Sequence, residues 1–305
     1  MSFSNSTKRC IVGLGEVLWD VFPDGPRFGG APANFACSAA ELAGKRLDVF
    51  MVGAVGADDL GGRAVESLRE HGVDPRYIAV VEQPTGQVLV KFDASGHPGY
   101  EIAVDTAWDN VRSTDALLQL AGRADVVCFG TLAQRSDTTR RTIHEFIRAT
   151  PARCLRILDI NLRPPFWSES VIIESIGLAN VLKLNDVELG ALAELLEWKG
   201  TQRELLRQLM DQFSLQVVAL TRGERGALLM ASWGESSDSP GESTAVVDTV
   251  GAGDAFTAAL VVGLLAGLPL AAINTWANRV AAFVCSQPGA TPTFPAELRL
   301  EHSSR

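Results

Sequence analysis

The stretch Asp248-Thr249-Val250-Gly251-Ala252-Gly253-Asp254-Ala255-Phe256 decides how the rest of this sequence is read. A strand-like run, 245–247, leads into it, and a long apolar helix, 255–266, leaves it. Two glycines and an alanine permit unusual backbone angles and put no bulky side chain in the way. Successive N–H groups at a helix N-terminus converge on one point, and with the helix dipole they make an anion site. Asp254 opens that helix, beside any anion bound there. A fixed carboxylate repels a phosphoryl group, so its presence needs a reason, and accepting the proton of a hydroxyl that attacks phosphorus is one. The helix N-terminus is expected to lower its pKa, which suits a hydroxyl that loses its proton late. A Gly-rich turn whose Asp merely caps a helix is the plain alternative, and the stretch alone leaves the two about equally open.

Working outward, short β-rich apolar runs alternate with helical stretches. Residues 10–18, 49–55, 126–129, 155–160, 181–184 and 217–221 read as strands, and 33–43, 60–70, 137–148, 171–176 and 187–196 as helices. Pro32 suits a first helical turn, Gly72 a helix stop and Ser136 an N-cap. This order predicts a mainly parallel sheet with helices on both faces. Residues 77–104 break the rhythm with three strand-like runs, 77–81, 87–92 and 100–104. They are parted by Pro84-Thr85-Gly86 and Ser95-Gly96-His97-Pro98-Gly99 rather than by helices. They read as antiparallel hairpins outside the main sheet, forming a small flap over a cleft with the loop-rich stretch 20–29. This is preferred to an antiparallel extension of the main sheet.

The chain has 305 residues, 47% of them hydrophobic and 21% charged, with a net charge of −9. That is a folded globular protein large enough to bury a core without staples. Its acidic balance argues against nucleic acid as a partner. Cys10, Cys37, Cys128, Cys154 and Cys285 lie far apart with no CxxC, which reads as reduced core thiols in a cytoplasmic protein. His71, His97, His144 and His302 show no metal-ligand spacing and are given no role. Lys8-Arg9 before an apolar run hints at a signal peptide, but Glu16 breaks that run early. Ala31-Pro32-Ala33 comes too late to serve it as a cleavage site. Residues 255–278 carry no charge and are long enough to span a bilayer, yet Gly267 and Pro269 divide them into two buried helices. No membrane partner is expected.

Other phosphate motifs fail. Gly44-Lys45 lacks the earlier glycine and the Ser or Thr of a P-loop, and Gly13-Leu14-Gly15 lacks a third glycine at Leu18. No protein-kinase motif set occurs. A second constellation is Gly29-Gly30-Ala31-Pro32-Ala33-Asn34, where glycines before a helix start admit a ligand and Asn34 offers donor and acceptor. Glu16 and Asp20 sit where the first strand ends, and Asp20 could accept hydrogen bonds from sugar hydroxyls. Asn185-Asp186-Val187-Glu188 at a strand-to-helix junction reads either as a water-mediated metal–phosphate holder or as a helix cap.

Taken together these stretches resemble the signatures of the ribokinase-like (PfkB-type) carbohydrate kinases. Residues 248–256 resemble the family's C-terminal signature and 29–34 its N-terminal one. Asn185-x-x-Glu188 is similar to its metal–phosphate motif, and Thr221-Arg222-Gly223-Glu224-Arg225-Gly226 to its nucleotide loop. The motifs fall in the family's order over nearly the whole chain. Within the family, Gly15-Glu16-Val17-Leu18-Trp19-Asp20, Ala107-Trp108-Asp109, 129–135 and 159–165 look like bacterial fructokinases. Phe35-Ala36-Cys37-Ser38 departs from them, since they often carry an aromatic and a histidine there.

The resemblance implies one ribokinase-like α/β domain over 1–305, a three-layer α/β/α sandwich with a small β lid built from about 18–30 and 77–106. It implies Asp254 as catalytic base and Gly251, Ala252 and Gly253 as the anion hole. Asp20, Gly30 and Asn34 would hold sugar hydroxyls, with Gln134 and Arg163 as further sugar-side candidates. Asn185 and Glu188 would position Mg2+ and the phosphates of ATP, and Thr221, Gly223, Gly226 and Asn278 would line the nucleotide pocket. Asp248, the Val250 carbonyl and the loop with Gln287, Gly289 and Thr293 match a monovalent-cation position, for which K+ is the ion. A homodimer through the lid is also implied.

The leading expectation is an ATP-dependent kinase acting on a primary hydroxyl, D-fructose to fructose 6-phosphate. 2-Keto-3-deoxygluconate, ribose or another small sugar are the alternatives within the family. A catalytically silent sugar- or nucleotide-binding sensor is the alternative outside it, disfavoured because Asp254 is present. A dinucleotide-dependent oxidoreductase lacks its fingerprint.

Overall fold

Most strands of the main sheet are apolar on both sides, so both faces need cover. The computed structural model describes residues 8–92 and 98–300. The chain opens with β1 (Arg9–Leu14), β2 (Leu18–Phe22), β3 (Gly25–Gly29), α1 (Ala31–Ala43), β4 (Leu47–Gly56), α2 (Asp59–Glu70) and β5 (Asp74–Val81). Next come β6 (Gly86–Phe92), β7 (Pro98–Ile102), α3 (Asp115–Arg123), β8 (Val126–Phe129), α4 (Asp137–Arg148), β9 (Leu155–Asp159), α5 (Glu169–Leu178) and β10 (Val181–Asn185). The last third holds α6 (Asp186–Leu195), α7 (Gln202–Phe213), β11 (Val217–Thr221), β12 (Ala227–Ala231), β13 (Ser236–Ser239), α8 (Ala252–Leu265) and α9 (Leu270–Cys285).

Nine strands form the main sheet in the order β13-β12-β11-β10-β9-β8-β1-β4-β5. The strands from β11 to β5 run parallel, while β12 is antiparallel to both its neighbours. Alternation sorts the cover into two layers. Ile11, Val49, Met51 and Cys128 pack with α1, α2, α8 and α9. Val12, Leu14, Phe50 and Val127 pack with α3 to α7 on the other face. The three-layer α/β/α architecture is therefore as expected. From β1 the chain first builds outward through β4 and β5, then returns to β8 on the other side. Such a reversal opens a crevice at the strands' C-terminal ends.

A second sheet has the order β3-β2-β6-β7. Here the structure corrects the sequence reading, because residues 77–81 belong to β5, a parallel edge strand of the main sheet, and not to the flap. The flap comprises β2, β3, β6 and β7, with β2 and β6 parallel to each other. Residues 95–97 of the expected turn, and His302, lie outside the described residues. The run 10–18 is two strands, broken at Gly15. The expected strand at 245–247 does not form, and Val247 and Asp248 instead donate backbone N–H bonds to the Cys285 carbonyl at the end of α9. Gly267 and Pro269 divide the uncharged stretch into α8 and α9, and among the described residues no helix is long and apolar enough to cross a membrane. The five cysteines are unpaired thiols, four of them buried.

Candidate active site

The turn before α8 is built on Gly251, whose φ of 79° lies in the left-handed region. A Cβ there would fall 2.4 Å from the Ala290 carbonyl oxygen, so glycine alone fits. The helix has no side-chain cap. The Ala252 N–H reaches the Thr249 carbonyl at 3.4 Å, and the first-turn amides of Gly253 and Asp254 are of the kind that a helix N-terminus offers to an anion.

Asp254 is half-buried in that first turn and accepts a 2.9 Å bond from Nδ2 of Asn34 on α1. Its pKa is pushed up to about 6, by burial first and then by the Asp159 carboxylate, against the opposing pull of Lys183, Asn34 and Arg163. This corrects the expectation of a depressed pKa, because burial and a like charge outweigh the helix terminus. Asn34 is itself buried, and its Oδ1 has no partner.

Behind the turn lies a cluster that sequence reading did not assemble. Lys183, on β10, places Nζ 3.0 Å from Oδ1 of Asp159 at the end of β9. Oδ2 of Asp159 accepts a 3.0 Å bond from Thr257, one turn beyond Gly253 on α8. A Cβ on Gly253 would lie 2.8 Å from the Lys183 ammonium, so the cation sits directly against the anion turn. Burial lowers the Lys183 pKa, but Asp159, Glu188 and Asp254 more than reverse it, and the group stays charged. A lysine inside the apolar strand Val181-Leu182-Lys183-Leu184 was the available signal, since unpaired buried lysines are rare.

Near the end of β1, Glu16 is 1% exposed, and its Oε2 has no hydrogen-bond partner. Burial raises its pKa to about 7, with Asp254 contributing in the same direction. Asp20 on β2 is raised to about 6, by burial and by Asp248, against Arg163 and Arg27. Cross-strand register gives Asp20, Arg27, Val88 and Ile102 one face of the small sheet. Arg27 reaches Asp248 at 3.5 Å, so that face looks toward the turn. Gly30 is the N-cap of α1 and lies against the backbone of Glu16, for a Cβ on it would meet the Glu16 carbonyl oxygen at 2.5 Å. Arg163 is exposed on the loop after β9 and acts electrostatically on Glu16, Asp20 and Asp254.

Gln134 is not brought to this cleft. Its Nε2 donates to the Gly130 carbonyl and to Ser175, both at 2.8 Å, and its Oε1 pairs with His144 at 3.1 Å. The amide is consumed inside the layer of α4 and α5, which corrects its assignment to the sugar side.

Of the residues expected to meet the nucleotide, Asn185 and Glu188 form a reciprocal capping box on α6. Glu188 also accepts the Leu162 N–H at 3.0 Å, tying the Arg163 loop to β10 and α6. Thr221 ends β11, and Gly223 and Gly226 bracket the turn after it. Asn278 bonds to Asn274, whose side chain reaches the Ala227 carbonyl at 2.9 Å, so these residues gather at one edge.

Among the described residues no group of three or more His, Cys, Asp or Glu side chains is arranged to hold a metal. Asp248 accepts the N–H groups of Val250 at 3.0 Å and Gly289 at 3.2 Å, drawing together three of the cation candidates. Gln287 turns to Ser286 instead, and Thr293 is exposed.

Residues 24–297 match the model of the pfkB family of carbohydrate kinases. The chain is 31% identical over 275 residues to an uncharacterized sugar kinase of Pyrococcus horikoshii, covering 87% of this chain and 83% of that one. It is 29% identical over 306 residues to the fructokinase of Salmonella typhimurium, covering 94% and 96%. The crystal structure of the Pyrococcus horikoshii protein in complex with ATP superposes with a TM-score of 0.77, at 30% identity and over 92% of this chain and 94% of that one. The chain belongs to the pfkB family of carbohydrate kinases, enzymes that pass a phosphoryl group from ATP to a sugar.

Proposed function

We propose that this kinase phosphorylates a primary hydroxyl of a neutral sugar, D-fructose being the acceptor and fructose 6-phosphate the product. The observation that carries the reading is the carboxylate of Asp254, fixed by Asn34 at 2.9 Å beside a helix N-terminus with no side-chain cap. A neutral acceptor is favoured because Glu16, Asp20 and Asp254 all lie within the field of Arg163, so an anion drawn there would meet their carboxyls. Of the nearby cations, Arg27 is already shared by Asp24 and Asp248. The fructokinase relative of Salmonella typhimurium supports the choice of sugar.

In this reading ATP lies along the edge bearing Asn185, Thr221, Gly226 and Asn278, with its γ-phosphate at residues 251–253. The sugar lies under the small sheet, with hydroxyls on Asp20, Asn34 and the Gly30 segment. The free Oδ1 of Asn34 is an unused buried acceptor suited to one of them. Asp254 orients the attacking hydroxyl and receives its proton as the bond to phosphorus forms. The first-turn amides and the Lys183 ammonium stabilise charge on the moving phosphoryl group. A divalent ion, Mg2+, would arrive with the nucleotide and neutralise phosphate charge, held through water by Asn185 and Glu188. K+ beside Asp248 and the Val250 carbonyl would steady the turn. The small sheet acts as a lid, excluding water that would otherwise take the phosphoryl group.

A panel of fructose, ribose, glucose and 2-keto-3-deoxygluconate with coupled ADP detection tests the reading. Preference for fructose is expected. Preference for the sugar acid would mean that exposed Arg163 outweighs the carboxyls. Nucleotide binding with no turnover of any sugar would mark a sensor.

A further inference from the structure

Arg135 occupies the point where the small sheet meets the loop of Arg163. It ends the short turn Leu132–Arg135 after β8, and its side chain is 8% exposed. Nε donates to Oδ1 of Asp109 at 2.8 Å and Nη2 to Oδ2 at 2.7 Å, a two-pronged ion pair. Nη2 also donates to the carbonyl of Ala103 at 2.6 Å, immediately beyond β7 where the chain leaves the small sheet. The guanidinium plane lies 3.8 Å from the Trp108 ring and 4.8 Å from the Phe166 ring.

Each of those partners leads elsewhere. Asp109 also accepts the Thr106 N–H at 2.9 Å, fixing the exit path. The Trp108 indole lies against Gly86, the first residue of β6, so closely that a Cβ there would fall 2.4 Å from Nε1. The Phe166 N–H donates to the Arg163 carbonyl at 2.8 Å, closing the loop that carries Arg163. One guanidinium thus touches the exit from the small sheet, the ring that abuts its entry, and the ring that backs the Arg163 loop. Its Nη1 is buried without a partner. An unsatisfied buried donor is costly, so a rearrangement of this junction that brought an acceptor to Nη1 would be favoured.

We propose that Arg135 is the pivot of the small sheet, a positioning residue that couples closure of this sheet to the placement of Arg163. The coupling to sugar rests on the reading of the small sheet as a lid. The planar fork and the two stacked rings are properties of a guanidinium that an ammonium lacks. Arg135→Lys therefore keeps the charge and loses the coupling.

The test compares wild type, Arg135→Lys and Phe166→Leu with ATP and D-fructose, together with amide hydrogen exchange of the free proteins. In Arg135→Lys the KM for fructose should rise roughly tenfold, the worth of a charged hydrogen-bond set. The KM for ATP should stay at the wild-type value, and the ratio of ATP hydrolysis to sugar phosphorylation should rise. Exchange should quicken in β6 and β7 and not in β10 or β11. Phe166→Leu should move the same quantities less, and it alone decides the matter if Arg135→Lys does not fold. Equal rises in both KM values, or lower thermal stability with unchanged KM values and uniform exchange, would overturn the pivot. If wild type does not phosphorylate fructose, the functional reading fails instead and the exchange pattern alone judges Arg135.

Discussion

Nζ of Lys183 lies 3.0 Å from Oδ1 of Asp159, and this buried pair backs the turn that bears Asp254. Neither group has water to fall back on, so each depends on the other. Lys183→Met should cost about 3–5 kcal/mol in denaturant unfolding, because it strands a buried carboxylate. Adding Asp159→Leu should recover most of that stability while leaving phosphotransfer impaired. A double variant no more stable than the single one would show that the two charges do not act as a unit.

Asp254→Asn should lower kcat by roughly 10²–10⁴ with a much smaller change in KM. As the proposed base, Asp254 must be ionised, so wild-type kcat should rise with pH through a limb near 6, the value to which Asp254 is raised. Arg163 helps hold that value down. Arg163→Gln should therefore move the limb to higher pH. A profile unchanged in this variant would place Arg163 outside the field of the base.

Glu16 supplies the clearest dependence of stability on pH. Its folded pKa, about 7, exceeds the ordinary value of 4.5, so the folded chain holds this proton more tightly than the unfolded chain does. Stability is thus fully favoured at acid pH and declines as pH rises from about 4.5 to about 7. Glu16→Gln should remove the decline, raising stability at neutral and higher pH on the order of 1–3 kcal/mol and having little effect below the unfolded pKa. Unfolding curves at the two ends of that range check it.

Gly251→Ala should be damaging twice over. The left-handed φ costs a non-glycine residue about 1–2 kcal/mol, and the contact with the Ala290 carbonyl adds to it. Displacing the turn's amides should lower kcat by roughly 10²–10³, the scale of losing one anion-hole donor. Retained kcat in a stably folded variant would mean that these amides do not meet the phosphoryl group.

What was legible in the sequence was local. The turn at 251–254, the capping box of Asn185 and Glu188, and the alternation of strands and helices all involve residues close along the chain, where spacing maps directly onto geometry. Pairing between distant segments was not legible. Residues 77–81 alternate as a flap strand would, and nothing in them names β4 as the neighbour. Gln134 follows a strand near the cleft, but its polarity does not say which way the side chain turns, and Ser175 and His144 claim it. Asp254 and Asn34 could be matched only through a family pattern, since 220 positions separate them. Lys183 and Asp159 belong to neighbouring strands whose register is set by the whole sheet.

Helix α8 is lined with small and apolar residues, buried from Ala255 to Gly263, and packs against α1 and α9. Such an element has no solvated face on which to roll or slide. Asp254, the proposed proton acceptor, is carried at the start of this buried helix, so on the proposed reading whatever adjustment a turnover needs falls to the substrates and to the flap.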